Sequence, residues 1–293
     1  MIDRILVLGA AGMLGHKLVQ LLSRKFTTFG SVRQATAPDS AAARAAYENV
    51  QLIFNIDAAV PEHLDRALEA AKPTVVVNAI GIVKQTEAAK DPIAQISINA
   101  LLPHQIARAC RSRGRQIRVI HFSTDCVFSG QRGPYSEGDP ADPQDLYGRS
   151  KLLGEVGGPK CLTIRSSLVG RELRGSSSLI EWVISQRGGR IKGYTGALYT
   201  GFTTIATSEI IAKLITDFPD LDGVWHVASE PINKYRLIQI VNDKFKLGVD
   251  IQPDEAFFCD RRLNGRRFAE KTQYLAPSWE KMIEDLRNDP TPY

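Results

Sequence analysis

Four residues with reactive side chains, Ser123, Thr124, Asp125 and Cys126, follow directly on a hydrophobic run from Ile117 to Phe122 that is broken by Arg118. The run reads as a buried strand, so its polar end sits where a strand leaves a sheet. Some twenty residues on, Tyr147 and Lys151 stand four apart in Y-G-R-S-K. Residues four apart share one face of a helix. Together these groups suit one reaction. A ketone that accepts hydride develops negative charge on oxygen and needs a proton donor in line, which Tyr147 supplies. A phenol titrates near ~10, and a neighbouring ammonium such as Lys151 favours the phenolate. Thr124 is placed to hydrogen-bond the same carbonyl oxygen and orient it.

A second motif offers a site for the hydride carrier. Gly9, Gly12 and Gly15 are spaced three apart, directly after the apolar strand Ile5–Leu8 and at the start of an amphipathic helix with Leu14, Leu18 and Leu21 on one face. Gly9 permits the tight turn and Gly12 lets backbone approach a pyrophosphate. Gly15 lets the helix lie close to the sheet, with its N–H groups and positive dipole end toward the anion. The second strand ends in Ser31-Val32-Arg33 without a carboxylate. A carboxylate there would hold ribose hydroxyls. Arg33 instead suits a 2′-phosphate, with Ser31 adding a hydrogen bond, so NADP(H) is favoured over NAD(H).

The elements that must position these groups alternate. Strands are expected at T-T-F-G-S-V, Q-L-I-F-N-I-D, T-V-V-V-N-A-I-G, R-V-I-H-F-S-T-D and C-L-T-I-R-S-S-L-V-G. Helices are expected at A-A-A-R-A-A-Y-E, P-E-H-L-D-R-A-L-E-A-A-K-P, N-A-L-L-P-H-Q-I-A-R-A-C-R-S-R-G (ended by Gly114) and L-Y-G-R-S-K-L-L-G-E-V. This alternation predicts an α/β fold, a Rossmann-type doubly wound parallel sheet, whose ligands bind beyond the carboxyl ends of the strands. After residue 165 the alternation weakens. Residues 1–165 are read as the nucleotide-binding domain, with 199–228 returning to it. Residues 166–198 and 229–293 are read as a smaller, interleaved substrate-binding part, mixed in character over its last stretch.

The bulk properties narrow the function. A formal charge of +5, spread without a basic tail, does not indicate nucleic acid and suits phosphorylated ligands. Four separated cysteines, Cys110, Cys126, Cys161 and Cys259, form no C-x-x-C and no zinc spacing with histidine, so no metal is expected. They read as reduced thiols of a cytoplasmic protein. No leader-like apolar segment opens the sequence, and no run reaches the ~18 apolar residues of a membrane span.

In order along the chain, G-A-A-G-M-L-G, V-V-N-A-I-G (76–81), Asn99, F-S-T-D-C-V-F and Y-G-R-S-K resemble the extended short-chain dehydrogenases/reductases, most nearly the dTDP-4-dehydrorhamnose reductase (RmlD-like) family. The resemblance runs to about residue 205 and is looser beyond. It implies NADPH-dependent reduction of the 4-keto group of a nucleotide-diphospho-6-deoxysugar, with Thr124, Tyr147 and Lys151 catalytic. It also implies cofactor contacts from Gly9, Gly12, Met13, Leu14, Asp57, Asn78, Ala79, Ile80, Tyr147 and Lys151, with Asn99 supporting the site from behind. Asp57 and Asn78 read equally as loop caps, and Asn99 as a helix N-cap.

Dehydratases similar to this chain carry Glu where Cys126 stands, so elimination is not expected. Related epimerase-reductases place a Cys near this position. Cys126 is therefore either a small wall of the substrate pocket or an epimerisation acid/base, the latter without a histidine partner between 165 and 200. A non-catalytic NADP-binding regulatory subunit is the third reading. For the substrate, Arg165, Arg171, Arg174, Lys192 and Arg261-Arg262 are the candidate diphosphate cations. Tyr199 and Thr203, in G-Y-T-G-A-L-Y-T-G-F-T-T, are the candidate cleft residues. A homodimer is left open.

Overall fold

Ile5 to Leu8, Val75 to Val77 and Val119 to Phe122 are apolar without alternation apart from His121, and all are buried. Such runs demand cover on both faces, which a parallel sheet between helices provides. The computed structural model describes residues 3–36, 39–84, 86–113 and 117–293, so the expected helix end at Gly114 lies outside the described residues. Strands are numbered β1–β12 along the chain. The main sheet holds β1 (Arg4–Leu8), β2 (Thr27–Ser31), β3 (Gln51–Ile53), β4 (Val75–Asn78), β5 (Arg118–Phe122), β6 (Cys161–Arg165) and β10 (Gly223–His226). Their spatial order is β10-β6-β5-β4-β1-β2-β3, and every neighbouring pair is parallel.

Alternate residues serve opposite layers. Ile5, Val7, Val75 and Val77 pack with Leu14, Leu18 and Leu22 of the helix Met13–Leu22 and with Ile210, Ile211 and Leu214 of the helix Thr204–Asp217. Leu6, Leu8 and Val76 pack with Leu64 and Leu68 of the helix Pro61–Ala71 and with Leu102 and Ile106 of the helix Leu102–Arg111. The strand order reverses between β1 and β4, and a crevice opens beyond their carboxyl ends.

The second part is built on β8 (Arg190–Tyr199), flanked by antiparallel β11 (Ile232–Asn233) and parallel β12 (Asp250–Asp260). The helix Lys234–Phe245 packs so closely on it that a Cβ at Gly193 would lie 2.8 Å from the Tyr235 Cα. β7 (Ser167–Val169) and β9 (Gly201–Thr203) pair as a two-stranded link. One expected boundary moves: C-L-T-I-R-S-S-L-V-G divides into β6 and β7.

Arg118, which interrupts the apolar run, is buried on β5. Its guanidinium donates to the Leu214 and Leu221 carbonyls at 2.7 and 2.9 Å. It thus ties the sheet to the end of the helix Thr204–Asp217.

Gly15 has no room for a side chain: a Cβ there would lie 2.0 Å from the Gly9 carbonyl oxygen. Gly15→Ala is expected to cost at least the ~1–3 kcal/mol typical of overpacking, because rigid backbone is what must move. Denaturant titration of the variant beside the wild type measures this, and an unchanged midpoint would contradict the packing described.

Candidate active site

The glycine turn faces the crevice. Gly9 has φ +84°, and a Cβ there would meet Ile80 Cγ1 at 2.8 Å, so the ends of β1 and β4 touch. Gly12 is the N-cap of the helix Met13–Leu22, and no side chain caps that terminus. A Cβ at Gly12 would meet nothing closer than 3.5 Å. An uncapped helix start in a glycine cradle fits a pyrophosphate.

Ser31 does not reach outward: it is buried, and its Oγ accepts the Gly9 N–H at 3.2 Å. Arg33 is exposed, with no carboxylate partner among the described residues. Asp57 is exposed and caps its loop through the Ala59 N–H (3.1 Å). Asn78 is buried, accepting the Ile80 N–H and donating to His121 Nδ1, both at 3.1 Å. Both caps therefore shape the loops on which Asp57, Ala79 and Ile80 border the crevice.

Thr124 lies two residues beyond β5, and Tyr147 and Lys151 lie on the helix Leu146–Leu153, whose N-cap Asp145 accepts the Gly148 N–H at 2.8 Å. The helix lies tight beneath the strand's exit, since a Cβ at Gly148 would be 2.2 Å from the Cys126 carbonyl oxygen. Thr124, Tyr147 and Cys126 are near enough there for the Cys126 thiol to raise the titration of the phenol and the Thr124 hydroxyl to lower it. Thr124 Oγ1 donates to Asp125 Oδ1 (3.1 Å) and accepts the Cys126 N–H (3.2 Å), while Asp125 Oδ2 accepts Ser167 Oγ (2.5 Å). The Thr124 proton must leave Asp125 before it can reach a carbonyl.

Asn99 is not an N-cap. The helical segment begins at Pro92, and Asn99 lies within a π-helical stretch, Ile96–Leu101. Its amide grips the Ile82 backbone twice, Nδ2 to the carbonyl and Oδ1 from the N–H, each at 2.9 Å.

Burial sets the site's electrostatics. It pushes the Tyr147 phenol above its usual value, with Cys126 acting the same way and the Thr124 hydrogen bond opposing. The Lys151 ammonium donates to the Phe122 carbonyl at 2.6 Å. Lys151 itself falls to about 8 through burial, with Glu155 opposing. The Cys126 thiol rises to about 11, chiefly through burial, so it is not a thiolate near neutral pH.

Several substrate candidates are committed elsewhere. Arg165 makes a bidentate bond to Glu155, Nε–Oε1 2.7 Å and Nη2–Oε2 2.8 Å, and both side chains are 8% exposed. It is a core cation rather than a substrate ligand. Arg171 pairs with Glu181 at 2.6 Å. Thr203 is buried as the N-cap of the helix Thr204–Asp217, taking the Ala206 N–H. Tyr199 is buried against Trp279, and its hydroxyl has no partner among the described residues. Lys192 is exposed, 3.9 Å from Asp254. Arg174 is exposed, and Arg262 pairs with Asp260.

Arg261 is different. Its donors reach the Phe128 carbonyl (3.0 Å), the Ser129 carbonyl (3.4 Å) and Cys126 Sγ (3.5 Å), with no carboxylate partner among the described residues. Sequence reasoning missed Glu155, Ser167 and Lys84. Lys84 Nζ is 2.5 Å from Asp145 Oδ2 and 5.4 Å from the centre of the Tyr147 ring. The run Asp145-Leu146-Tyr147-Gly148, a capping aspartate ahead of a helix, was the available signal for half of that pair.

A parallel sheet reversing at a glycine turn, with Thr, Tyr and Lys gathered beside it, defines a Rossmann-type fold of the extended short-chain dehydrogenase/reductase class. The family model described as RmlD substrate binding domain matches residues 3–178, more than half the chain, and the chain belongs to that family. The dTDP-4-keto-6-deoxy-D-glucose reductase of Streptomyces niveus is 35% identical over 158 residues, covering 53% of this chain and 47% of that protein. The dTDP-4-dehydrorhamnose reductase of Burkholderia thailandensis is 36% identical over 171 residues, covering 57% and 50%. The match thus spans about half the length of these curated relatives. The solved dTDP-4-dehydrorhamnose reductase of Bacillus anthracis, in complex with NADP, shares the fold with a TM-score of 0.78 at 20% identity, covering 98% of this chain and 99% of that one.

The Glu155–Arg165 pair generates a stability prediction. Glu155→Ala leaves a buried guanidinium unpaired and is expected to destabilise by about 3–5 kcal/mol. Equilibrium unfolding measures this, and a loss under about 1 kcal/mol would show the pair to be as weak as an exposed one.

Proposed function

We propose that the protein is an NADPH-dependent reductase of the 4-keto group of a nucleotide-diphospho-6-deoxysugar. The observation that carries this reading is the close packing of the helix that bears Tyr147 and Lys151 on the backbone just after Thr124, where a Cβ at Gly148 would lie 2.2 Å from the Cys126 carbonyl oxygen. The reductase names of the relatives support it. NADPH supplies the hydride to the carbonyl carbon. The pyrophosphate would rest on the backbone of Gly12, Met13 and Leu14, and the 2′-phosphate against Arg33. Asp57, Asn78, Ala79 and Ile80 would border the ribose and nicotinamide.

Tyr147, kept protonated by burial, gives its proton to the oxygen that becomes the hydroxyl. This state suits reduction, where a donor is needed from the start. Lys151 would turn from the Phe122 carbonyl to hold the ribose, its positive charge then favouring the phenolate left behind. Thr124 would steady the carbonyl. Arg261 takes the diphosphate, because its guanidinium is half-buried beside the site and pairs with no carboxylate among the described residues. Cys126, with its thiol held protonated, is a pocket wall rather than an epimerisation base.

Residues 166–198 and 229–293 form the substrate part in this reading. A cytoplasmic location fits the four free cysteines. Exposed Ile93, Ile96, Leu101 and Leu153, on adjoining helical segments, favour a homodimer. Among the described residues no helix is long and apolar enough to cross a membrane.

The first test incubates the protein with NADPH or NADH and dTDP-, UDP- and GDP-linked 4-keto-6-deoxysugars, following cofactor oxidation. Oxidation with one nucleotide series is expected, faster with NADPH. Binding without oxidation across the panel would favour the regulatory-subunit reading. Tyr147→Phe is expected to lower kcat by at least about a hundredfold with little change in sugar KM, and Cys126→Ser to retain turnover. Retained epimerisation in a Tyr147→Phe variant, lost on Cys126→Ser, would reverse these roles. Because Lys151 titrates at about 8, kcat/KM should fall as pH rises through that value and the ammonium is lost. A flat profile from pH 7 to 9.5 would remove Lys151 from the chemistry.

A further inference from the structure

Far along the chain, residues Asp289–Tyr293 lie against the helix that leaves the glycine turn. Lys17, 1% exposed, places Nζ 2.5 Å from Asp289 Oδ2 and 3.1 Å from Thr291 Oγ1. His16, fully buried, has Nδ1 3.0 Å from the Gly12 carbonyl and Nε2 2.8 Å from the Tyr293 hydroxyl. The Arg171 guanidinium stacks over the Tyr293 ring, 4.5 Å from its centre, while Glu181 holds its Nε.

The hydrogen-bond polarity follows from the partners. A carbonyl only accepts, so His16 Nδ1 carries the proton and donates to Gly12. Nε2 of the neutral ring must then accept, and Tyr293 donates to it. The phenol also lies 3.2 Å from Asp289 Oδ2, but it has one proton and cannot give it to both. Asp289 is satisfied by Lys17 instead. Burial keeps His16 neutral, lowering its titration to about 4, with the charge on Lys17 adding to this and Asp289 and the Gly12 bond opposing. One directed chain therefore runs Tyr293 to His16 to the carbonyl of Gly12.

Gly12 is the residue whose backbone would approach the pyrophosphate; its carbonyl accepts the His16 backbone N–H at 3.1 Å, and the His16 ring adds a second, side-chain hold on it. We propose that Tyr293, acting through His16, fixes the carbonyl of Gly12 and so makes the segment Asp289–Tyr293 a positioning strap for the phosphate-binding turn. The proposal rests on the NADP(H) reading for its consequence but not for its geometry. His16 and Tyr293 are positioning residues, since neither would touch the reacting atoms. Arg171 gives the strap its second anchor. It follows β7, whose Ser167 is bonded to Asp125 beside Thr124, so the strap touches both the glycine turn and the segment that leaves β7.

The test uses Tyr293→Phe, which keeps the ring under Arg171 and removes only the donor, and His16→Asn, whose amide can still reach Gly12 but not Tyr293. Hydrogen exchange of the first-turn amides of the helix Met13–Leu22 is measured without cofactor, and the NADPH Kd by fluorescence titration. Tyr293→Phe is expected to exchange faster in that turn and to weaken NADPH about fivefold, the value of one ordinary hydrogen bond, with sugar KM unchanged. The double variant should bind no more weakly than the weaker single, because both break one chain. Wild-type exchange and Kd in Tyr293→Phe, or additive losses in the double variant, would overturn the proposal. If the wild-type protein binds neither NADPH nor NADH, the cofactor reading fails. The exchange measurement then still decides the strap: faster exchange upholds it and unchanged exchange refutes it.

Discussion

The carboxylate of Glu155 gathers the parts of the molecule that must meet for chemistry to occur. It accepts Ser123 Oγ at 2.7 Å and the Nε and Nη2 of Arg165, joining the ends of β5 and β6 to the chain just past the Leu146–Leu153 helix. The remaining guanidinium nitrogen, Nη1, faces His226 Nε2 on β10 at 3.3 Å, and His226 Nδ1 lies 3.0 Å from the Tyr135 carbonyl. The arginine and the carbonyl together require a neutral imidazole protonated on Nδ1, which agrees with its titration falling to about 4 under burial. Two buried charges are expensive to desolvate, and an apolar pair of similar volume would serve stability as well or better. What an apolar pair would not do is fix direction. Thr124 is the residue after Ser123, and Glu155 directly follows the C-cap of the helix that carries Tyr147 and Lys151, so the pair sets the strand end against the helix that carries the phenol.

The same logic separates the arginines. Arg118, Arg165 and Arg171 are each absorbed by carbonyls or a carboxylate of the chain itself, and Arg262 by Asp260. Arg261 leans on two carbonyls and a thiol, which satisfy its hydrogens without cancelling its charge. Sequence cannot separate these cases, since each is an arginine at the end of an element or in a polar loop. Only the neighbours decide.

Much of the first half of the chain was legible because its signals are local. The unbroken apolar runs of β1, β4 and β5, the glycines at spacing three and the proline-started helix Pro61–Ala71 each declare themselves within ten or so residues. Gly9 and Gly15 do what their spacing suggested, one turning with positive φ and the other admitting the helix to the strand. The second part was not legible in the same way. β12, Asp-Ile-Gln-Pro-Asp-Glu-Ala-Phe-Phe-Cys-Asp, shows no period of two. It is an edge strand with a register shift between Asp254 and Phe258, and most of its residues are exposed. β8 carries Gly193 and Gly196 because a helix and the Phe257 backbone crowd it, which lowers its apparent strand character. Lys151 was read toward Tyr147 because they share a helix face, yet the nearest oxygen to its ammonium belongs to Phe122, a residue the helical spacing does not show.

The edge position of β10 has a consequence for how the protein is made. Residues 223–226 supply the last strand of a sheet whose first strand is residues 4–8, and the guanidinium of Arg118 waits for carbonyls at 214 and 221. While the chain is still emerging from the ribosome, β6 is a bare edge beside a finished one, and a buried cation on β5 lacks its acceptors. Pairings of such long sequence separation form slowly and leave unpaired edges exposed meanwhile. The seven-stranded sheet is therefore complete only once residues 223–226 have been synthesised. It closes only after the first stretch of the second part, with its own helix and β8, has already been threaded between.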